Sequence, residues 1–434
     1  MRLVCLAIAC VLTPIVSAVR EPAWGRSKLG TVANEDPLAK VASLVTPYNY
    51  PLQVHNVQTS DGFILTLLRI PHGIEGTRGA AGALHNGSRP VAFLQHGLLD
   101  SAAGFLVNGP GESLAFILAD EGYDVWLGNM RGNSLSRGHA SLDPSDARFW
   151  QWSYDEMAAY DMPTMGTTVL LAALAGAGGS SGAGKRSGSG PPPGPALRAD
   201  EIERAVLMAP VAVAKHISSI PLLAMAAMNT DDMFSLMGLH EFLPSQELIA
   251  ALEGRLCVAQ PYLCVSFLTS IAGYNPDNLD NARLPIYLRF TPAGTSVQNM
   301  AHWAQVAAGV WGFVRRNVRA RAPNTMSFFD YGTDCASWTG RCNQLQYGRM
   351  TPPLYNLTAI RTPLAVISGS QDTLAAPLDV EYLLESLGPG VAKLVKNLDS
   401  YDHLDFIWGI NAKDLLYSDV LRFLATGQGP DVQA

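Results

Sequence analysis

Val91-Ala92-Phe93-Leu94-Gln95-His96-Gly97-Leu98-Leu99 begins as a short continuous apolar run and ends in a glycine turn. A run of this length after Pro90 reads as a buried parallel strand, because both faces of such a strand are covered. A turn at its carboxyl end offers backbone N–H groups where open parallel sheets bind their ligands. Outward from it, Asn49 to Pro71 predicts a hairpin, with Leu52 to Val57 and Phe63 to Leu68 flanking Ser60-Asp61-Gly62. Ser113 to Glu121 predicts a helix and Tyr123-Asp124-Val125-Trp126-Leu127 the next strand. Strand, helix and strand in close succession make a βαβ unit of a parallel sheet.

The chemistry-bearing residues lie far downstream. The strand-like Leu364-Ala365-Val366-Ile367 leads to Gly369-Ser370-Gln371-Asp372, and a later loop holds Asp402-His403-Leu404-Asp405. Gly-Ser-Gln-Asp is also a plain loop sequence, and a lone histidine is usually structural. In this order, however, Asp372 and His403 read as the acid and base of a hydrolytic triad. The nucleophile of such a triad belongs earlier, on a strand–turn–helix elbow. No elbow occurs between Asp161 and Pro210.

Phe149 to Tyr160 and Thr167 to Ala177 read as helices. Gly178 to Pro195 is a Gly/Ser/Pro tract with no periodic apolar face, expected to be a disordered, exposed loop. Ile202 to Met208 resumes as a strand. From Val211 to Pro352 Met- and Leu-rich helical stretches alternate with proline loops, the texture of a helical cap inserted into the core. Leu415 to Leu424 predicts a closing helix. The fold class is therefore α/β, a mostly parallel central sheet with an inserted helical cap. Residues 1–18 are a leader, 19–210 the first part of the core, 211–352 the cap and 353–434 the second part of the core.

Composition sets the remaining bounds. The 434 residues are 48% hydrophobic and 15% charged, with a net charge of −7, which gives no general attraction to nucleic acid. Arg2, the apolar run Leu3 to Leu12 and the small residues Val16-Ser17-Ala18 form a secretory signal cut after Ala18. Cys257, Cys264, Cys335 and Cys342 then read as two small-loop disulfides of an oxidising compartment. No histidine stands at ligand spacing beside them, so no metal site is expected, nor any cofactor. Asn86 and Asn356 head glycosylation acceptor sequences. No other segment is apolar for long enough to span a membrane.

Phe93 to Leu99, Tyr123-Asp124-Val125-Trp126-Leu127-Gly128-Asn129, Ala293-Gly294-Thr295-Ser296-Val297-Gln298-Asn299-Met300 and His403-Leu404-Asp405-Phe406-Ile407-Trp408 closely resemble the acid lipases, the gastric and lysosomal lipases and steryl ester hydrolases of the α/β-hydrolase fold. The resemblance runs from Ala39 to Leu424. It implies a secreted or lysosomal (vacuolar) enzyme acting on lipid esters, triacylglycerol or steryl, at an oil–water or membrane interface. It makes Asp372 the triad acid, His403 the base and the Leu98 N–H one oxyanion donor. It also places a lid over an acyl pocket within 211–352 and pairs Cys257 with Cys264, whereas Cys335 and Cys342 match nothing in the family pattern.

One departure changes the reading. The family pattern runs from a Tyr-Asp-Leu-Pro-like helix through a strand to Gly-His-Ser-Gln-Gly-Thr-Thr. Here Tyr160-Asp161-Met162-Pro163-Thr164-Met165 continues directly into Gly166-Thr167-Thr168. The strand and the Gly-His-Ser-Gln are absent, with both flanks intact, as after an internal deletion. Gly178-Gly179-Ser180-Ser181-Gly182 mimics the elbow motif but follows a helix inside a low-complexity tract. Thr164 occupies the serine's place only if the Tyr-Asp-Met-Pro match is ignored. Two functions follow: a lipid ester hydrolase inactive as written, or a lipid-binding protein that keeps the pocket without the chemistry.

Overall fold

Residues 36–74, 89–177, 201–219, 223, 238–243, 271–273, 275–307, 326–336 and 341–429 are described by the structure, a computed structural model. The leader, Asn86, Gly178 to Pro195 with Ser180, most of the helical stretches expected at the start of the cap, and Cys257 with Cys264 lie outside them.

The hairpin forms as its sequence predicts. β1 (Gln53–Gln58) runs antiparallel to β2 (Phe63–Ile70), and the turn closes through Gly62 N–H to Thr59 O at 3.0 Å. Gly62 adopts φ +105°, and a Cβ there would sit 2.7 Å from the His139 ring, so glycine is required. β2 pairs with β4 (Asp124–Gly128), which runs parallel to β3 (Val91–Gln95), and a short β5 (Gly138–His139) joins β2. The resulting order is β1-β2-β4-β3. Helix α1 (Pro37–Ala42) precedes the hairpin, and α2 (Leu114–Asp120) connects β3 to β4 and buries an almost unbroken apolar face.

A second sheet has the order β10-β9-β6, all parallel, from β6 (Ala205–Met208), β9 (Leu364–Gly369) and β10 (Ala392–Leu398). The expected single sheet is therefore split. β3 has β4 on one side and β6 has β9 on one side, and among the described residues no strand pairs with the other edge of either. Burial agrees with the pairing: β4 and β9 are buried throughout, whereas β6 is only half-buried along its length. The break lies between β3 and β6, where the sequence resemblance implies a further strand.

The helices on either side of the junction are also changed. Two separate helices are expected, but one continuous helical run occurs. It starts at α3 (Tyr154–Glu156), widens into a π-turn at Met157–Asp161 and continues as α4 (Met162–Ala177). The start lies at Ser153 rather than Phe149, because Ser153 and Glu156 form a reciprocal capping box. The π-turn directly precedes Pro163, which has no N–H to donate and crowds the carbonyls of the preceding turn. Thr164-Met165-Gly166 lie within α4 and are helical. Met165 and Val169 pack on Phe63, Leu65, Leu67 and Trp126, on one face of the first sheet.

Within 211–352, β7 (Glu241–Phe242) pairs with β8 (Thr295–Ser296), which leads into the helix Val297–Ala307. The buried His302 of that helix stacks on Tyr154 with centroids 3.8 Å apart and bonds Ser327 O at 2.9 Å. Asp155 accepts from Phe329 N–H at 2.8 Å and from the Tyr355 hydroxyl. These contacts tie the segment to the helix that carries the junction. Cys335 and Cys342 form a disulfide.

Candidate active site

Asp372 stands in the loop after β9 and is almost wholly buried. Its Oδ1 accepts the N–H groups of Leu374 and Ala375, both at 2.8 Å, and its Oδ2 lies 3.0 Å from His403 Nδ1. Two backbone donors fix the carboxylate, which in turn fixes the ring. Nδ1 then carries the proton and Nε2 is turned the other way. Burial opposes a charged imidazole, but the adjacent Asp372 carboxylate outweighs it, so the His403 pKa lies above its ordinary value.

The loop that carries His403 is built from two more carboxylates. His403 N–H donates to Asp402 Oδ1 at 2.8 Å, and Asp402 N–H donates to Asp405 Oδ2 at 2.7 Å. Gly273 approaches so closely that a Cβ there would meet the Asp402 carboxylate at 1.9 Å. Burial pushes Asp402 up to about 6, with Asp372 and Asp405 adding to the rise. Asp405, buried in the same way, is raised too.

The turn after β3 is held from three sides. Leu99 adopts φ 62°, its carbonyl accepts Ala293 N–H at 2.7 Å, and the Thr291 hydroxyl donates to Asp100 at 3.1 Å. Leu98 is partly exposed, space is open beside Gly97, and no described residue accepts from the Leu98 N–H. His96 locks the turn to the next strand. Its Nδ1–H donates to Gly97 O at 2.8 Å, while Nε2 accepts Met130 N–H and Asn133 Nδ2–H, both at 3.1 Å.

Burial lowers the His96 pKa to about 4. Its folded pKa is below its unfolded one, so its contribution to stability is present above about 6.5 and is lost as pH falls to about 4, roughly 3 kcal/mol in all. Imidazole ¹⁵N NMR is expected to show His96 neutral and Nδ1-protonated at pH 5. A protonated ring there would contradict the assigned bonds.

His403, Leu98, Asp100 and the end of β3 share one cavity of about 470 Å³ with Val206, Leu207 and Met208 of β6. Apolar groups from Phe105, Met300, Trp303 and Phe406 complete most of its wall. Of the two strands whose outer edges lack a partner among the described residues, β6 lines it with three residues and β3 with Gln95. No described residue hydrogen-bonds His403 Nε2. Thr164 is helical, its carbonyl engaged by the Thr168 hydroxyl at 2.9 Å, and it is absent from the cavity wall.

A family model described as a partial alpha/beta-hydrolase lipase region matches residues 41–109, which include β3 and its turn. The chain is 36% identical to the gastric triacylglycerol lipase of Bos taurus over 409 residues, 92% of this chain and 94% of that one. It is 34% identical to lipase member K of Homo sapiens over 440 residues, 96% and 97% of the two chains, and 34% identical to lipase lipl-1 of Caenorhabditis elegans over 406 residues, 89% and 92%. The chain belongs to the acid lipase family of α/β hydrolases. Within that acid lipase frame, His403 and the Leu98 turn line the cavity from two strand ends, and Asp372, from a third, stands behind His403. The Asp402–Asp405 pair, Asp100 and the His96 hub were not singled out from the sequence. The spacing in Asp402-His403-Leu404-Asp405 was the one available signal for the first of these, since carboxylates on both sides of a histidine must either bond the loop or repel.

Proposed function

We propose that this chain is an acid-lipase scaffold for lipid esters that does not perform acyl transfer as it stands. The observation that carries this reading is the pair of unpaired edges on β3 and β6, with His403 Nε2 lacking a hydroxyl partner among the described residues. In a complete site, a serine hydroxyl would give its proton to His403 Nε2 as its oxygen attacks the ester carbonyl. Asp372 would stabilise the imidazolium and the Leu98 N–H the oxyanion, and the alcohol would leave with the histidine's proton. The acid, the base and one oxyanion donor have residues here; the nucleophile and the second oxyanion donor, the N–H of the residue after it, do not among the described residues.

Residues 211–352 serve in this reading as the cap over the cavity, and triacylglycerol or steryl esters as the ligands. A leader at 1–18 would deliver the chain to the secretory route. The Cys335–Cys342 disulfide and the exposed Asn356 suit an oxidising lumen. A second reading, lipid binding without hydrolysis, is favoured by the intact apolar cavity, whose volume suits a small-molecule site.

Incubating the full chain with p-nitrophenyl butyrate and a fluorophosphonate is expected to give background hydrolysis and no adduct. Turnover of about 1–1000 per second, with an adduct mapped to Ser180 or Thr164, would overturn the reading.

A further inference from the structure

We propose that His403 and the Leu98 N–H together form a carboxylate receptor, so that the cavity takes a non-esterified long-chain fatty acid. The head group would lie against His403, with the chain along Val206, Leu207 and Met208. This rests on the reading above, that no nucleophile occupies the far side of the imidazole.

The two donors are the first support. Nδ1 of His403 is committed to Asp372, so the ring presents Nε2–H to the cavity when protonated, and Asp372 behind it favours that form. Leu98 lines the same cavity, and no described residue accepts from its N–H. An ester carbonyl can accept the same bonds but carries no charge, whereas a carboxylate adds ionic attraction to the protonated ring.

The slot is the second. Val206, Leu207 and Met208 of the half-buried β6 form one wall of the cavity. An extended alkyl chain covers these apolar side chains on the cavity wall. It therefore suits the slot better than a bulky polar ligand.

The charges around His403 set a pH window. Asp372 faces it from the loop after β9, Asp402 and Asp405 belong to its own loop, and Asp100 and His96 stand on the cavity wall after β3. Burial raises Asp100, like Asp402, to about 6. Between about 4 and 6 both are mostly protonated, His96 is neutral, and the imidazolium of His403 is the cation facing the ligand. Above it, two carboxylates ionise and repel the fatty acid.

The test is fluorescence titration of the full chain with cis-parinaric acid and with its methyl ester. At pH 5 the acid is expected to bind at least about tenfold more tightly than the ester, and the preference should shrink at pH 7.5. His403→Gln is expected to bring the acid down to the level of the ester. Met208→Trp, which fills the slot, should weaken both. Near-ultraviolet circular dichroism checks that each variant folds. If His403→Gln does not, Asp372→Asn replaces it with the same expected direction. Equal binding of acid and ester by the unaltered chain, a preference that survives loss of His403, or no binding of either ligand would overturn the proposal. Ester turnover in the p-nitrophenyl assay would sink the underlying reading instead, so the two failures are told apart.

Discussion

Inserting the strand-and-elbow segment of a gastric lipase between Met165 and Gly166 is expected to switch ester hydrolysis on, raising turnover of p-nitrophenyl butyrate by about a million-fold. The magnitude follows from how triads work. A site that keeps its base, acid and one oxyanion donor retains only the residual rate that those groups give without a nucleophile. Asp372 and His403 are already 3.0 Å apart, and the Leu98 turn is already held by Ala293 and Thr291. The graft therefore adds a serine to a standing arrangement. It also gives β3 and β6 the neighbour that each lacks among the described residues, which should raise the denaturation midpoint in the same experiment. The same graft with alanine for serine is the control, expected to be more stable than the unaltered chain and no more active. A serine graft that folds but hydrolyses no faster than that control would mean that the remaining groups are not catalytically placed.

Most of this arrangement was legible because each part is local. β3 and β9 announce themselves as continuous apolar runs, since strands buried on both faces cannot alternate. Asp372 and the Leu98 turn follow such runs directly, and residues at the carboxyl ends of parallel strands reach a common crevice whatever their separation in sequence. The absent elbow was visible as a break between matched flanks. What it does to the chain was not. Nothing in Thr164-Met165-Gly166 says that two helices fuse through a π-turn, because that depends on the loss of the strand that would have separated them. Nor could the sequence show the sheet left open rather than closed across the gap. Closure would have to bring β3 and β6 together against the packing of α2, Phe406 and Trp408 in one continuous core. The buried carboxylates escaped for another reason: Asp100 and Asp161 look like ordinary polar residues until the fold removes their water.

Asp161→Ala is expected to destabilise the chain by about 3–5 kcal/mol, the usual consequence of stranding one half of a buried ion pair. Asp161 is fully buried at the end of the π-turn, and Arg131, after β4, is 1% exposed. The guanidinium donates to Asp161 Oδ1 from Nε at 2.9 Å and from Nη2 at 2.7 Å, and the Arg131 N–H reaches Oδ2 at 3.0 Å. Its remaining side is held by Asp61, with Nη1 2.7 Å from Oδ2, and it lies 4.1 Å from the centre of the Phe63 ring. This anchor fastens the helix to the hairpin and to the loop after β4 only a few residues before Met165. Against a total stability of about 5–15 kcal/mol, the loss is large enough to show as a clear fall in the urea midpoint. The double variant Asp161→Leu with Arg131→Met should recover much of it, because the cost comes from the charge left behind rather than from the missing attraction. The exposed Arg148–Asp146 pair supplies the comparison: removing it is expected to leave the midpoint where it was. If Asp161→Ala moves the midpoint no further than that surface change, the anchor carries no weight in holding the fused helix to the sheet.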